Sequence, residues 1–162
     1  MWAEPPPALF EQALACLLQH YESYNGHRTA VYPEAGETLA RLKAAGIRLC
    51  CITNKKRRFS EPLLADLQLL AYFDFLVCGD DLPVNKPDPL TLRHAMQRAE
   101  TGPDETLMVG DSVTDVKTAR AAGVRVVAVS YGYNHGEDIR AAGPDWVVDS
   151  LAGICTIAGL PE

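Results

Sequence analysis

Phe10, Leu14, Leu17, Leu18, Tyr21 and Tyr24 recur at three- and four-residue spacing, which predicts an amphipathic helix from about Ala8 to Tyr24. Asn25-Gly26 ends it. Pro33 restarts the chain, and Ala35 to Ala45 reads as a second helix closed by Gly46. The pattern then changes. Ile47 to Thr53 is an apolar run, as expected of a strand covered on both faces. Helical spacing returns from about Ser60 to Gln68, followed by a strand at Phe75 to Cys78. Asp88-Pro89 has the form of an N-cap followed by proline at the first helical position, opening a helix to about Ala99. Strands at Thr106 to Val109, Val124 to Val129 and Trp146 to Val148 alternate with helices at Val113 to Ala121, closed by Gly123, and at Leu151 to Ile157. This alternation predicts an α/β fold of Rossmann-like type: a parallel sheet with helices on both faces and right-handed crossovers. In such sheets ligands sit beyond the carboxyl ends of the strands.

Composition narrows the picture. A chain of 162 residues with 48% hydrophobic and 22% charged residues is an ordinary globular protein, large enough for one core. A net charge of -6 speaks against a nucleic-acid binder, which carries a basic face. The exception is Lys55-Lys56-Arg57-Arg58, which reads either as a solvated helix start or as an attractor for an anionic substrate. Five cysteines with no Cys-x-x-Cys read as reduced, mostly buried thiols, which places the protein in the cytoplasm. Cys50 and Cys51 should point to opposite faces of their strand. No apolar stretch approaches the ~20 residues of a membrane span, so no membrane partner is expected. Met1 to Pro7 has neither the basic start nor the apolar core of a signal peptide and reads as a disordered lead-in.

The polar residues at the strand ends carry the chemistry. Thr53 and Asn54 offer a hydroxyl, an amide and backbone N–H groups at a strand-to-helix turn. Such a turn binds phosphate, but it also serves as a plain capping turn. Lys86 precedes Pro87 and is biased towards extended backbone, which frees its ammonium either to reach across a site or simply to face solvent. Asp111 closes a strand, and Asp115 lies in the first turn of the next helix. The two carboxylates can share a Mg2+ ion with waters and a substrate phosphate. Alternatively, Asp115 only favours the helix N-terminus. Gly110 before Asp111 would let the backbone approach a ligand. Each feature is weak alone, but their order and their common placement at strand ends point to phosphoryl chemistry. The chain contains no Asp-x-Asp.

These stretches resemble the haloacid-dehalogenase-type (HAD) phosphohydrolases, and within them the phosphoglycolate phosphatase branch. The resemblance rests on Tyr32-Pro33, Cys51 to Lys55, Gly79 to Pro83, Lys86 to Pro89, Gly110 to Val116, Ala121 to Val124 and Tyr131 to Gly136. It implies a magnesium-dependent phosphomonoesterase that converts 2-phosphoglycolate to glycolate and phosphate, with a small phosphorylated substrate and Mg2+ as cofactor. Thr53 and Asn54 would bind the phosphoryl group, Lys86 would neutralise it, Asp111 would hold Mg2+, and Asp115 would hold or orient it. The family's nucleophile is the first aspartate of an Asp-x-Asp on its first strand. By the resemblance, that strand and most of the helical cap would lie before Met1. Residues 1–30 then read as the lead-in and last helix of a cap remnant, and residues 31–162 as the α/β core. The missing strand belongs between Ile47–Thr53 and Thr106–Val109, so the expectation is a sheet with that slot open or filled from outside. A strand received from outside would make a homo-oligomer or a complex. The rival reading is a non-catalytic phosphate- or magnesium-binding or interaction module completed by another chain. A receiver-like signalling domain also places Asp, Thr and Lys at strand ends, but the order of Lys86-Pro87 and Gly110-Asp111 argues against it.

Overall fold

The computed structural model describes residues 6–161. Of the lead-in at Met1 to Pro7, residues 1–5 lie outside the described residues. The chain forms two units, Met1–Ala30 and Val31–Glu162. In the first, helix α1 runs Pro7–Tyr24 with proline at its start, and the Tyr24 ring meets His27 edge-on at 5.6 Å.

The second unit alternates helices and strands. Helix α2 is Ala35–Ala44, strand β1 Cys50–Ile52, helix α3 Arg57–Asp66, strand β2 Phe75–Val77 and helix α4 Leu90–Ala99. Strand β3 is Leu107–Gly110, helix α5 Val113–Ala122, strand β4 Arg125–Val129, strand β5 Trp146–Val148 and helix α6 Gly153–Ile157. All strand pairs are parallel: β1 with β2, β3 with β4, and β4 with β5. The α/β architecture with parallel strands expected from the sequence is therefore present.

Strand β4 shows why. Val126, Val127 and Ala128 are 0% exposed, and successive side chains leave opposite faces of a strand. Val126 and Ala128 pack with Leu92 and Met96 of α4 and with Val116 and Ala119 of α5. Val127 packs on the other face with Leu42 of α2 and with Ile154 and Cys155 of α6. The run Val124 to Val129 is apolar because both faces are covered.

Three local expectations shift. Strand β1 spans Cys50–Ile52 rather than Ile47 to Thr53, because its partner among the described residues, β2, has three residues to pair with. Its ladder is prolonged by single bonds, Asp74 N–H to Leu49 O at 2.8 Å and Thr53 N–H to Val77 O at 2.9 Å. Helix α3 starts at Arg57, not Ser60, and so takes in the second half of the basic run. Helix α4 starts at Leu90, with Pro89 one position before it. The Asp88 carboxylate accepts from Leu90 N–H at 2.8 Å, bonding two residues ahead as an Asx turn does.

The strands form two sheets, β1-β2 and β3-β4-β5, and β1 does not pair with β3. Between them lies a cavity of about 770 Å³ lined by Cys50 to Ile52 of β1, Leu107 to Val109 of β3, and Leu42, Leu92 and Met96 from the helices. Val109, on that edge, is 38% exposed. The slot expected between these two strands is open among the described residues. Cys50 and Cys51 line it; burial pushes their thiols up to about 12 and about 11, so neither offers a thiolate near neutral pH. Of the five free cysteines, Cys78 and Cys155 are buried, these two are half-buried and Cys16 is exposed.

Candidate active site

The carboxyl ends of β1 and β3 and the loop after β2 converge on one polar cluster. At the end of β1 the Thr53 hydroxyl accepts the Lys55 backbone N–H at 3.1 Å. Its own O–H hydrogen is thereby left to donate elsewhere. Asn54 turns the other way. Its Oδ1 accepts Lys86 N–H and its Nδ2 donates to Lys86 O, both at 2.9 Å. The side-chain amide read as a phosphate ligand is committed to the backbone of the lysine. Thr53 joins the cluster through this neighbour.

The Lys86-Pro87 peptide is cis. From it the Lys86 ammonium donates to Asp115 Oδ1 at 2.7 Å. Both side chains are largely buried, 13% and 7% exposed. The lone-lysine reading of a solvent-exposed side chain therefore does not hold. The other Asp115 oxygen accepts from Asp111 N–H and Ser112 N–H, each at 3.2 Å, and from the Ser112 hydroxyl at 2.8 Å. Ser112 Oγ accepts the Asp115 N–H in return at 3.4 Å, so the two residues form a capping box at the start of α5. Asp115 thus caps the helix start, one of its two sequence readings, and its other oxygen faces the Lys86 ammonium. Burial pushes its carboxyl up, but the Lys86 charge and hydrogen bond, with those from Ser112 and Asp111, outweigh burial and hold it below the usual carboxylate range.

Gly110 also makes room for a protein neighbour. A Cβ there would run into the carboxyl group of Asp115, so the glycine makes room for that side chain. The same logic places the loop after β4. A Cβ on Gly132 would strike Asp111, whose Oδ2 accepts Tyr133 N–H at 2.9 Å. Asn134, itself buried, accepts Val113 N–H at 3.0 Å and donates to Glu137 O at 3.0 Å, tying this loop to the first turn of α5.

Sequence reasoning did not foresee the ion pairing at the start of the loop after β2. Arg57 holds Asp81 through Nε at 3.1 Å and Nη2 at 2.5 Å. Asp81 also accepts Cys78 N–H at 2.8 Å, and Asp80 accepts Arg57 N–H at 2.7 Å. Gly79 lies against the Asn54 carbonyl with no space for a Cβ. Arg57 is thereby a brace between the β1 and β2 loops, and Arg58 lies over the Phe59 ring at 4.5 Å. Half of the basic run is accounted for within the fold.

A magnesium ion takes one or two carboxylates plus waters and phosphate oxygens. Among the described residues no group of three or more His, Cys, Asp or Glu gathers to hold a metal. Asp111 has one carboxylate oxygen bonded to Tyr133 N–H, whereas both oxygens of Asp115 are engaged. This donor set fits a metal with few protein ligands, with Asp111 as the side chain able to bind it directly.

A parallel α/β core with lysine, threonine and two aspartates at its strand ends fits one class well, and the chain belongs to it: it matches the haloacid dehalogenase-like hydrolases over residues 5–129. It is 45% identical over 154 residues to the phosphoglycolate phosphatase of Nitrosococcus oceani, covering 95% of this chain and 68% of that one. It is also 45% identical over 148 residues to the phosphoglycolate phosphatase of Nitrosospira multiformis, covering 91% of this chain and 65% of the relative. A crystal structure from Haemophilus somnus, described as a predicted phosphoglycolate phosphatase, superposes with a TM-score of 0.90 at 32% identity, over 96% of this chain and 69% of that one. The chain thus spans about two thirds of the length of these relatives.

Proposed function

We propose that the strand-end cluster is the phosphate-gripping and Mg2+-binding part of a phosphomonoesterase site, and that its substrate is 2-phosphoglycolate. The buried Lys86–Asp115 pair beside Asp111 carries this reading. A lysine held this far from solvent places a positive charge at a strand end, where a dianionic phosphoryl group would sit. The Thr53 hydroxyl donates to the phosphoryl oxygens. Asp111 holds Mg2+, and Asp115 orients Asp111 through its backbone N–H while fixing Lys86. When bound, the ion neutralises charge on the phosphoryl oxygens. The substrate follows from the names of the relatives. Five cysteines, none in a disulfide, support a cytoplasmic setting.

The sequence holds no Asp-x-Asp to supply a covalent nucleophile. The open slot between β1 and β3 supports a second reading, in which this chain is a binding module completed by a strand of another chain or of a second copy. Purified protein is assayed for phosphate release from 2-phosphoglycolate with Mg2+, alone and mixed with a peptide bearing an apolar strand that ends in Asp-x-Asp. Negligible release alone and release in the mixture, lost in Asp111→Ala, is the result expected. Robust Mg2+-dependent turnover by the chain alone, lost in Asp111→Ala, would show that the nucleophile is already present. Phosphate binding without turnover in either arm would favour the binding module.

A further inference from the structure

The Asn54 side chain makes both of its hydrogen bonds to one residue 32 positions away: Lys86 N–H to Oδ1 and Nδ2–H to Lys86 O, each at 2.9 Å. A primary amide is the one short side chain that can accept from and donate to the same backbone unit, as a neighbouring strand would. Lys86 has need of it. It precedes a proline and follows a loop, so neither a helix nor a ladder holds its main chain. Its side chain is a flexible four-carbon stem whose charge can be anywhere within reach unless both ends are fixed. Asp115 fixes the tip at 2.7 Å, and Asn54 fixes the root.

The bridge also crosses a gap. Asn54 lies in the turn just after β1, and Asp115 belongs to the helix that follows β3 in the other sheet, with no strand ladder between the two sheets among the described residues. Arg57–Asp81 braces the loops at the ends of β1 and β2 and does not reach β3. Asn54–Lys86–Asp115 is therefore a polar link between the sheets at the end where the site lies.

We infer that Asn54 is a positioning residue, which acts on phosphate only through Lys86 by clamping the lysine backbone with its side-chain amide. The positioning itself stands on the geometry; its bearing on phosphate rests on the site reading proposed above.

Two measurements separate the two parts. Amide hydrogen exchange on the full chain reads the clamp. In Asn54→Ala the Lys86 N–H should exchange about tenfold faster or more, while the Thr53 N–H, bonded to Val77 O in the ladder, stays within about twofold. In Asn54→Asp, which keeps the acceptor and loses the donor, Lys86 should fall between. Unchanged Lys86 exchange in Asn54→Ala overturns the inference. The second measurement is the affinity for inorganic phosphate with Mg2+, in a cycle of Asn54→Ala and Lys86→Met. Asn54→Ala alone should weaken binding about tenfold. With Lys86→Met already in place it should add nothing. Additive losses would overturn the inference, because they mean that the Asn54 amide touches phosphate itself. A wild-type chain that binds no phosphate would defeat the site reading, and the exchange data would then decide the clamp by themselves.

Discussion

Strands β1 and β4 are both apolar, yet they occupy opposite situations. β4 has a strand on each side and helices on each face, and Val126, Val127 and Ala128 are 0% exposed. Among the described residues β1 has one neighbour, and Cys50, Cys51 and Ile52 are all half-buried beside the slot. β3 is intermediate: Met108 is buried against β4, while Val109 is 38% exposed on the slot. The hydrophobicity of β1 and β3 exceeds the burial they obtain. An apolar sequence pattern reports the environment a strand is suited to, and here that environment is complete around β4 and incomplete around β1.

Core substitutions test this contrast most severely. Val127→Asp should cost roughly 4 kcal/mol or more, because an unpaired carboxylate would be placed in the centre of the unit. Val109→Asp should cost less than about 1 kcal/mol, its side chain standing at an open edge. Urea unfolding of both variants reads the difference. Equal, large losses would mean that something covers the β3 edge in solution.

The polar link between the sheets comes next. Asp115→Ala leaves the buried Lys86 ammonium and the Ser112 hydroxyl without their acceptor, and should cost about 3 kcal/mol in the same unfolding experiment. Lys86→Met in that background should recover part of the loss, since the stranded charge goes with it.

Metal binding should divide the two aspartates. Asp111→Asn is expected to weaken Mg2+ at least about tenfold in calorimetry, or ~1.4 kcal/mol, and Asp115→Asn should weaken it less. Identical Mg2+ affinity in wild type and Asp111→Asn would remove Asp111 from the metal site.

The smallest effect lies at the brace between β1 and β2. The hydrogen bond from Arg57 holds the Asp81 carboxyl below its usual range. A carboxyl lowered by folding binds fewer protons in the native state than in the unfolded one. Its stabilisation is therefore fully present above the unfolded value of about 3.9 and is lost as pH falls through the lower folded value. Asp81→Asn should flatten the acid limb of the stability curve below about pH 4, with little change in its slope near neutrality. An unchanged acid limb would mean that the pair contributes nothing in solution.

Much of the fold was legible because it is encoded locally. The run Val124 to Val129 and the helix closed by Gly123 need only their own residues to be read, and Gly123 does adopt a left-handed backbone with φ of 76°. The strand ends were legible as a candidate site because Thr53, Lys86, Asp111 and Asp115 fall where a parallel sheet places ligands. What was not legible is pairing between distant residues. Nothing near Asn54 states that its amide will meet Lys86, and nothing near Gly132 states that Asp111 will fill the space of its missing side chain. Nothing near Gly110 states that the Asp115 carboxyl will occupy the space of its missing side chain. Only Ser112-x-x-Asp115 carried a local sign of its pairing, as an acidic variant of the capping box.

The central claim is that the described strand ends form a phosphate site whose charge is supplied by Lys86 and whose metal is held by Asp111. Calorimetric titration of inorganic phosphate into the chain, with and without MgCl2, tests it directly in wild type and in Lys86→Met. Binding that requires Mg2+ and is weakened at least about tenfold in Lys86→Met is the predicted result. Phosphate affinity that is indifferent to both the ion and the lysine would contradict it.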